Sequence, residues 1–182
     1  ESLGAICDLV LEENARRSRS ERPLYLMYDQ VYWQLTFGDT VHVDPVSLRP
    51  EIAKYTILID GISKAFAATG VRVGWVLGPT DVMESMNNFL SHVGTWAPRA
   101  EQVATAALLL SEDAIADFRR QLIAGVQARL DALYSGISAL KAQGHAVDAI
   151  APQGAIYLSA RFNLYGKTTP QGDVFKTSED IR

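Results

Sequence analysis

The stretch "GISKAFAATGVRVGW", residues 61–75, sets one lysine, Lys64, inside a small and apolar segment and an arginine, Arg72, eight positions after it. A lysine ordinarily stays at the surface, because taking its ammonium out of water without a partner is costly. A lysine that reacts is a different case: desolvation lowers its pKa from about 10.4 toward neutrality and frees the amine as a nucleophile. Gly70 and Gly74 read as backbone requirements for a tight turn and a close approach.

The flanking segments place this stretch in a sheet. "KYTILIDG" (54–61) is an apolar, β-branched run that ends on a glycine, "LYLMYD" (24–29) is a shorter run of the same kind, and "VRVGWVLGP" (71–79) makes a third. The opening, "ESLGAICDLVLEENARRSRSERP", reads as an amphipathic helix with Leu3, Ile6, Leu9 and Val10 on one face and a charged tail that breaks at Pro23. Between the first two strands, Asp44-Pro45 and Arg49-Pro50 predict a loop without regular structure. Beyond the third strand the pattern turns helical, with "DVMESMNNFLSHV" behind Thr80 as N-cap and "PRAEQVATAALLL" starting at Pro98. A long helix is predicted from about residue 111 to 141, carried by Ile115, Phe118, Leu122, Val126, Leu130, Leu133 and Ile137. "AIYLSARFNL", after Pro152 and Gly154, is a further strand candidate. Strands alternating with helices over the first 110 residues indicate an α/β domain, and the long helix reads as a bridge into a second unit.

Bulk composition excludes several classes. The 182 residues are 48% hydrophobic and 21% charged, which is ordinary for a globular protein. A net charge of -4, with 17 Lys and Arg spread along the chain, argues against a nucleic-acid footprint. Cys7 alone gives no disulfide framework and no cysteine-based metal site, which suits a reducing cytosol. His42, His92 and His145 lack metal-ligand spacing. The sequence has no apolar run of about 18 residues, so no membrane partner and a cytoplasmic location are expected. Trp33, Trp75 and Trp96 read as packing residues.

Three ionisable residues fall at strand ends: Asp29 closes one strand, Lys64 follows another, and Arg72 enters a third. In open α/β sheets ligands collect at such ends. A phosphate-bearing aldehyde cofactor would use all three. Arg72 is a permanently charged partner for a phosphate, Lys64 can form an imine, and Asp29 can hold a protonated ring nitrogen. Tyr32, three residues past Asp29, is placed to bond a ring oxygen beside that imine.

"DQVY" (29–32) followed by "GISKAFAATGVRVGW" resembles the pyridoxal-phosphate attachment region of the class I/II aminotransferases, and the likeness continues through "GTWAPRAEQVATAALL" and "PQGAIYL". Gly61, Ile62, Ser63, Lys64, Ala67, Ala68, Gly70, Arg72, Val73 and Gly74 agree with the family pattern in type and spacing. The resemblance implies an aspartate-aminotransferase-like enzyme of fold type I. It implies that residues 1–110 are part of the large mixed-sheet α/β domain, and that 111–182 are a connecting helix and the start of a small C-terminal α+β domain. It also implies pyridoxal 5'-phosphate as cofactor, held as a Schiff base on Lys64, with Asp29 at the ring nitrogen, Tyr32 at the phenolic oxygen and Arg72 at the phosphate, Ser63 or backbone N–H groups being the candidates for a further phosphate contact. The expected reaction moves an amino group between an amino acid and a 2-oxo acid, aspartate and 2-oxoglutarate among them, in a homodimer.

Many family members carry a serine three residues before the lysine, where this chain has Gly61, so one phosphate contact is expected to come from elsewhere. The family's glycine-rich cofactor loop and its asparagine fall before Glu1, and its carboxylate-clamping arginine falls after Arg182. The chain therefore reads as the central part of a longer protein, with little transaminase activity and some uncovered apolar sheet surface by itself. Two other readings stand beside this one. The same fold hosts pyridoxal-phosphate lyases and synthases. A phosphate-binding module is the other, although the G-x-x-x-x-G-K-[ST] spacing is absent.

Overall fold

The protein was analysed as a computed structural model, which describes residues 2–181. Strand β1 (Leu26–Asp29) pairs parallel to β2 (Thr56–Gly61), which pairs antiparallel to β3 (Gly74–Leu77), in the order β1-β2-β3. Asp29 lies opposite Ile59 and Gly61 opposite Gly74, so the end of β1, the end of β2 and the start of β3 share one edge of the sheet. The three expected strands are present, each shorter than its apolar run.

Helix α1 (Ser2–Arg16) packs over the N-terminal side of this sheet. Its inward stripe differs from the expected one: Cys7 and Val10 are buried with Ile52, flanked by Leu3 and Leu11, whereas Ile6 and Leu9 face outward at 47% and 60% exposure. The steps of three and four residues from Leu3 to Cys7 to Val10 continue to Leu11, and this line outcompetes the one drawn through Ile6 and Leu9. Asp8, on a flank of the helix, clamps Arg49 through two bonds of 2.7 and 3.0 Å.

The proline-containing connection is more ordered than predicted. Asp44 accepts from the backbone N–H of Val46 and Ser47 at 2.9 and 3.0 Å and caps a one-turn helix α2 (Pro45–Leu48). Pro50 then opens a 3-10 segment, Pro50–Tyr55, that runs into β2. A proline is compatible with the first turn of a helix, where its missing N–H has no intrahelical acceptor to lose.

A second core forms around the lysine turn. Ile62, Ala65, Phe66 and Val73 are buried together, with Ala68, Val71, Trp75, Ala97 and Ile115 packed against them. Helices α4 (Thr80–Val93) and α5 (Arg99–Leu109) follow the sheet, each starting one residue after a proline, at Pro79 and Pro98, with no side-chain cap bond; Thr80 is the first helical residue instead of the cap. The long helix α6 (Glu112–Ala142) leads through Gly144 to β4 (Val147–Ala149), which pairs antiparallel with β5 (Ala160–Phe162). Only the end of the expected "AIYLSARFNL" strand is in β5, and β4 was not foreseen; Phe118 and Leu133 of α6 remain exposed. One-residue ladders tie the two sheets' surroundings together: Thr36 and Gly154 form an antiparallel bridge, Phe37 N–H donates to Gln153 O at 2.9 Å, and Ala155 N–H to Leu35 O at 2.7 Å.

Large apolar side chains are uncovered on the sheet and on its helices. Met27 and Leu77 are 67% and 60% exposed, and Phe89 of α4 and Val103 of α5 67% and 54%. Among the described residues no helix is long and apolar enough to cross a membrane.

Candidate active site

The lysine belongs to a one-turn helix, α3 (Ile62–Ala65), that springs directly from the end of β2. Ile62 and Ala65 anchor this turn in the core, and the helical rotation between them leaves Ser63 and Lys64 half-buried on the outer side. Among the described residues the Lys64 amine has no hydrogen-bond or ion-pair partner. The returning chain is fastened to the same turn. Thr69 Oγ1 donates to Ser63 O at 3.1 Å, and the Arg72 guanidinium donates to Thr69 O at 2.9 Å.

Arg72 has φ +61°, in the left-handed region, as has Ala67 at +50°. Gly70 needs no such conformation and faces open space, so the tight turn rests on Ala67 and Arg72 and not on Gly70. Gly74 does serve a close approach, since a Cβ there would meet Asp60 O at 3.0 Å. A Cβ on Gly61 would meet Gly74 Cα and Val73 O, both at 3.0 Å, so a serine here would require the facing backbone to give way by a few tenths of an ångström. Gly61, Gly74, Ser63 and Arg72 together line a small cleft of about 200 Å³ with Val31 and Val73.

Asp29 and Tyr32 line a larger cleft of about 510 Å³ next to it, whose far wall is Gln153, Gly154 and Ala155. Asp29 Oδ1 accepts from Val31 N–H at 3.1 Å, an Asx-type turn that starts the loop carrying Tyr32. The Tyr32 and Tyr157 hydroxyls are 2.6 Å apart, with their rings edge to face at 5.5 Å. Burial first, then the bond to Tyr157, the charge Tyr157 would carry and the Asp29 carboxylate push the Tyr32 hydroxyl up to about 12. It is therefore a protonated donor throughout the neutral range. Lys64 is not among the residues lining these two clefts.

Asp60, the penultimate residue of β2, joins the halves of this region. Its carboxylate is buried and accepts from Trp33 Nε1 at 3.0 Å and from Gly61 N–H at 2.7 Å. Burial pushes its pKa up against the bonds from Gly61, Gln30 and Trp33, which pull it down. The loop after β1 is thus tied to the backbone that precedes Lys64. Trp33 is a hydrogen-bond donor at 37% exposure and Trp96 is 52% exposed, so of the three tryptophans only Trp75 packs as expected.

The sheet register thus brings Asp29, Ser63, Lys64 and Arg72 to one edge, with Tyr32 on the loop beside it. Two residues of this region were not read from the sequence. Asp60 had a signal, being the one carboxylate in a β-branched run; Tyr157 had none, because 125 positions separate it from Tyr32.

The chain thus combines an α/β sheet with a lysine on the turn after its central strand and an arginine closing that turn. The particular family follows from comparison with known proteins: the family model "Aminotransferase class I and II" matches residues 11–170, and the chain belongs to that family. It is 30% identical over 160 residues to a probable aspartate/prephenate aminotransferase of Rhizobium leguminosarum bv. phaseoli, covering 87% of this chain and 38% of that protein. It is 31% identical over 135 residues to the aspartate aminotransferase of Geobacillus stearothermophilus, covering 73% and 32%. Among solved structures, the aspartate aminotransferase of Rhizobium meliloti superposes with a TM-score of 0.76 at 27% identity, over 87% of this chain and 38% of that one. The Thermus thermophilus enzyme with maleate gives 0.73 at 28% identity, over 86% and 36%. The fold is part of fold type I. The chain spans about 38% of the length of the first relatives.

Proposed function

We propose that the protein acts as an aminotransferase that uses pyridoxal 5'-phosphate, the cofactor of aspartate aminotransferases in this family. The carrying observation is the hydrogen-bonded turn that presents Ser63, Lys64 and Arg72 together at the sheet edge where β1 ends in Asp29. The residues fit the group. A cradle with little room for a Cβ at Gly61 and Gly74 would let backbone, the Ser63 hydroxyl and the Arg72 guanidinium approach a phosphate together. Asp29 offers an anion for a ring nitrogen, and protonated Tyr32 a donor for a ring oxygen.

When bound, the cofactor supplies an electron sink for the carbon that loses its proton. Lys64 Nζ would be the amine that holds the cofactor's aldehyde, and the base that would move the substrate's proton. Asp29 would hold the ring nitrogen in its protonated form, and Arg72 with Ser63 would hold the phosphate. The substrates are an amino acid and a 2-oxo acid, with aspartate the amino donor that the relatives' names favour and 2-oxoglutarate the acceptor of this reading. Residues 1–110 serve as part of the large domain and 111–182 as the connecting helix and the start of the small domain, in a cytoplasmic homodimer.

The intact protein, incubated with pyridoxal 5'-phosphate, reduced with borohydride and digested, should carry the label on the peptide containing Lys64, and should transaminate aspartate with 2-oxoglutarate. A label on another lysine, or none, refutes the assignment.

A further inference from the structure

We infer that Tyr157 is a positioning residue for the Tyr32 hydroxyl, delivered to it by the backbone strap between residues 153–155 and 35–37. The inference rests on the reading of Tyr32 as a cofactor contact. Tyr157 comes from the loop before β5, far from the sheet in sequence, yet the two hydroxyls are at 2.6 Å.

The strap explains how so distant a residue arrives with such accuracy. Leu35 and Phe37 are buried at 1% and 4% exposure, so the segment that receives the loop cannot drift. Two backbone bonds and the Thr36–Gly154 bridge hold the loop to it. The fit has no slack, since a Cβ on Gly154 would lie 2.7 Å from Leu35 O. Ala155, in the left-handed region at φ +60°, then turns the chain toward Tyr157. Tyr157 itself is 61% exposed, so its hydroxyl contributes little to the core.

The chemistry of a hydroxyl pair assigns the role. A phenol has one proton to donate and lone pairs to accept with. While no ligand oxygen is near, either hydroxyl can donate to the other. An anionic ring oxygen beside Tyr32 would take the Tyr32 proton, and Tyr157 would then donate to a lone pair that Tyr32 keeps. In both arrangements Tyr157 fixes where the Tyr32 oxygen sits, and the position of the C-terminal loop is communicated to the cofactor contact. The other ionisable group that acts on Tyr32 is Asp29, on its own side of the cleft.

Tyr157→Phe keeps the ring and removes the hydroxyl, and Gly154→Ala keeps Tyr157 and displaces the strap. In the intact cofactor-free protein, tyrosinate absorbance is titrated against a Tyr32→Phe reference. Both variants should move the Tyr32 midpoint down from about 12 toward the ordinary 10.0, the burial effect remaining. Both should also weaken pyridoxal 5'-phosphate binding by about three- to tenfold, the factor of one ordinary hydrogen bond. A Tyr32 midpoint unchanged in Tyr157→Phe overturns the inference, as does a normal Tyr157→Phe beside a defective Gly154→Ala, which would make the strap merely structural. A wild-type protein that binds no pyridoxal 5'-phosphate counts against the proposed function and leaves the titration to decide the coupling.

Discussion

Replacing Gly61 by serine installs the residue that many members of the family carry, and the local packing predicts harm from it. The new Cβ would lie 3.0 Å from Gly74 Cα and 3.0 Å from Val73 O. Both neighbours are backbone, and both belong to the segment that β2 pairs with: Gly61 sits opposite Gly74, and Ile62 N–H donates to Val73 O at 3.3 Å. Relief requires the two strands to part beside the lysine turn. Overpacking of this kind costs about 1–3 kcal/mol. At about 2–4 °C per kcal/mol for a domain of this size, the thermal midpoint of the intact protein should fall by about 2–12 °C in circular dichroism. Gly61→Ala carries the same steric cost without a hydroxyl, so the difference between the two variants isolates any phosphate bond that the serine makes. Equilibrium dialysis should find pyridoxal 5'-phosphate bound more weakly by both variants than by the wild type. Unchanged midpoints, or a serine variant that binds the cofactor more tightly than the wild type, would refute the reasoning.

Four further outcomes are expected. Lys64→Ala should abolish borohydride-fixable cofactor and slow single turnovers by at least about 10²–10⁴-fold, the range of a lost acid/base group; a normal rate rules out its role. Asp29→Ala should leave the circular dichroism spectrum intact and lower kcat with cofactor still bound, so an unchanged kcat removes Asp29 from the ring nitrogen. Arg72→Leu should weaken cofactor binding by about 10- to 100-fold, as for a lost charge-assisted bond, while kcat at saturating cofactor changes less; equal affinity by dialysis contradicts this. At Asp60, burial holds the folded pKa above the ordinary 3.8, so the folded state keeps a proton that the unfolded chain has released, and stability falls as pH rises from 3.8 through the raised value. Asp60→Asn should flatten that part of a denaturation profile measured against pH, and an identical slope would show that Asp60 is not its source.

The legible parts of the fold were those that local chemistry dictates. "TILIDG" (56–61) is β-branched and ends on a glycine, and the lysine turn follows it with the spacing that one helical turn and a return strand require. Asp29, Lys64 and Arg72 could be assigned to strand ends because those ends were readable, even though the register that aligns them is a tertiary property. The parts that sequence missed depend on partners elsewhere in the chain. Whether Pro45 and Pro50 break or begin a helix turns on Asp44 reaching two backbone N–H groups. Strand β4 is three residues long and owes its pairing to β5 and its packing to α6, with Lys141 bonded to Asp148 at 2.8 Å. Tyr157 could be linked to Tyr32 only once the strap had folded the loop back.

On the proposed function, the lysine turn also has a bearing on the free energy of binding a phosphate. Two non-glycine residues, Ala67 and Arg72, stand in the left-handed region, at a cost of about 1–2 kcal/mol each. Nothing about a turn demands this, because a glycine at either place would avoid it. The conformation is held by bonds already made in the protein: Ala67 N–H to Lys64 O at 3.1 Å, Thr69 Oγ1 to Ser63 O, and the Arg72 guanidinium to Thr69 O. The buried side chains of Ile62, Phe66 and Val73 offset the rest. Arginine and lysine lose much side-chain entropy when a ligand fixes them. Here Arg72 has surrendered part of that freedom on folding, since its guanidinium is bonded to Thr69 before any phosphate arrives. A phosphate reaching the cleft of Ser63 and Arg72 therefore meets donors whose placement is set by the fold, which favours binding to the degree that ordering costs are avoided.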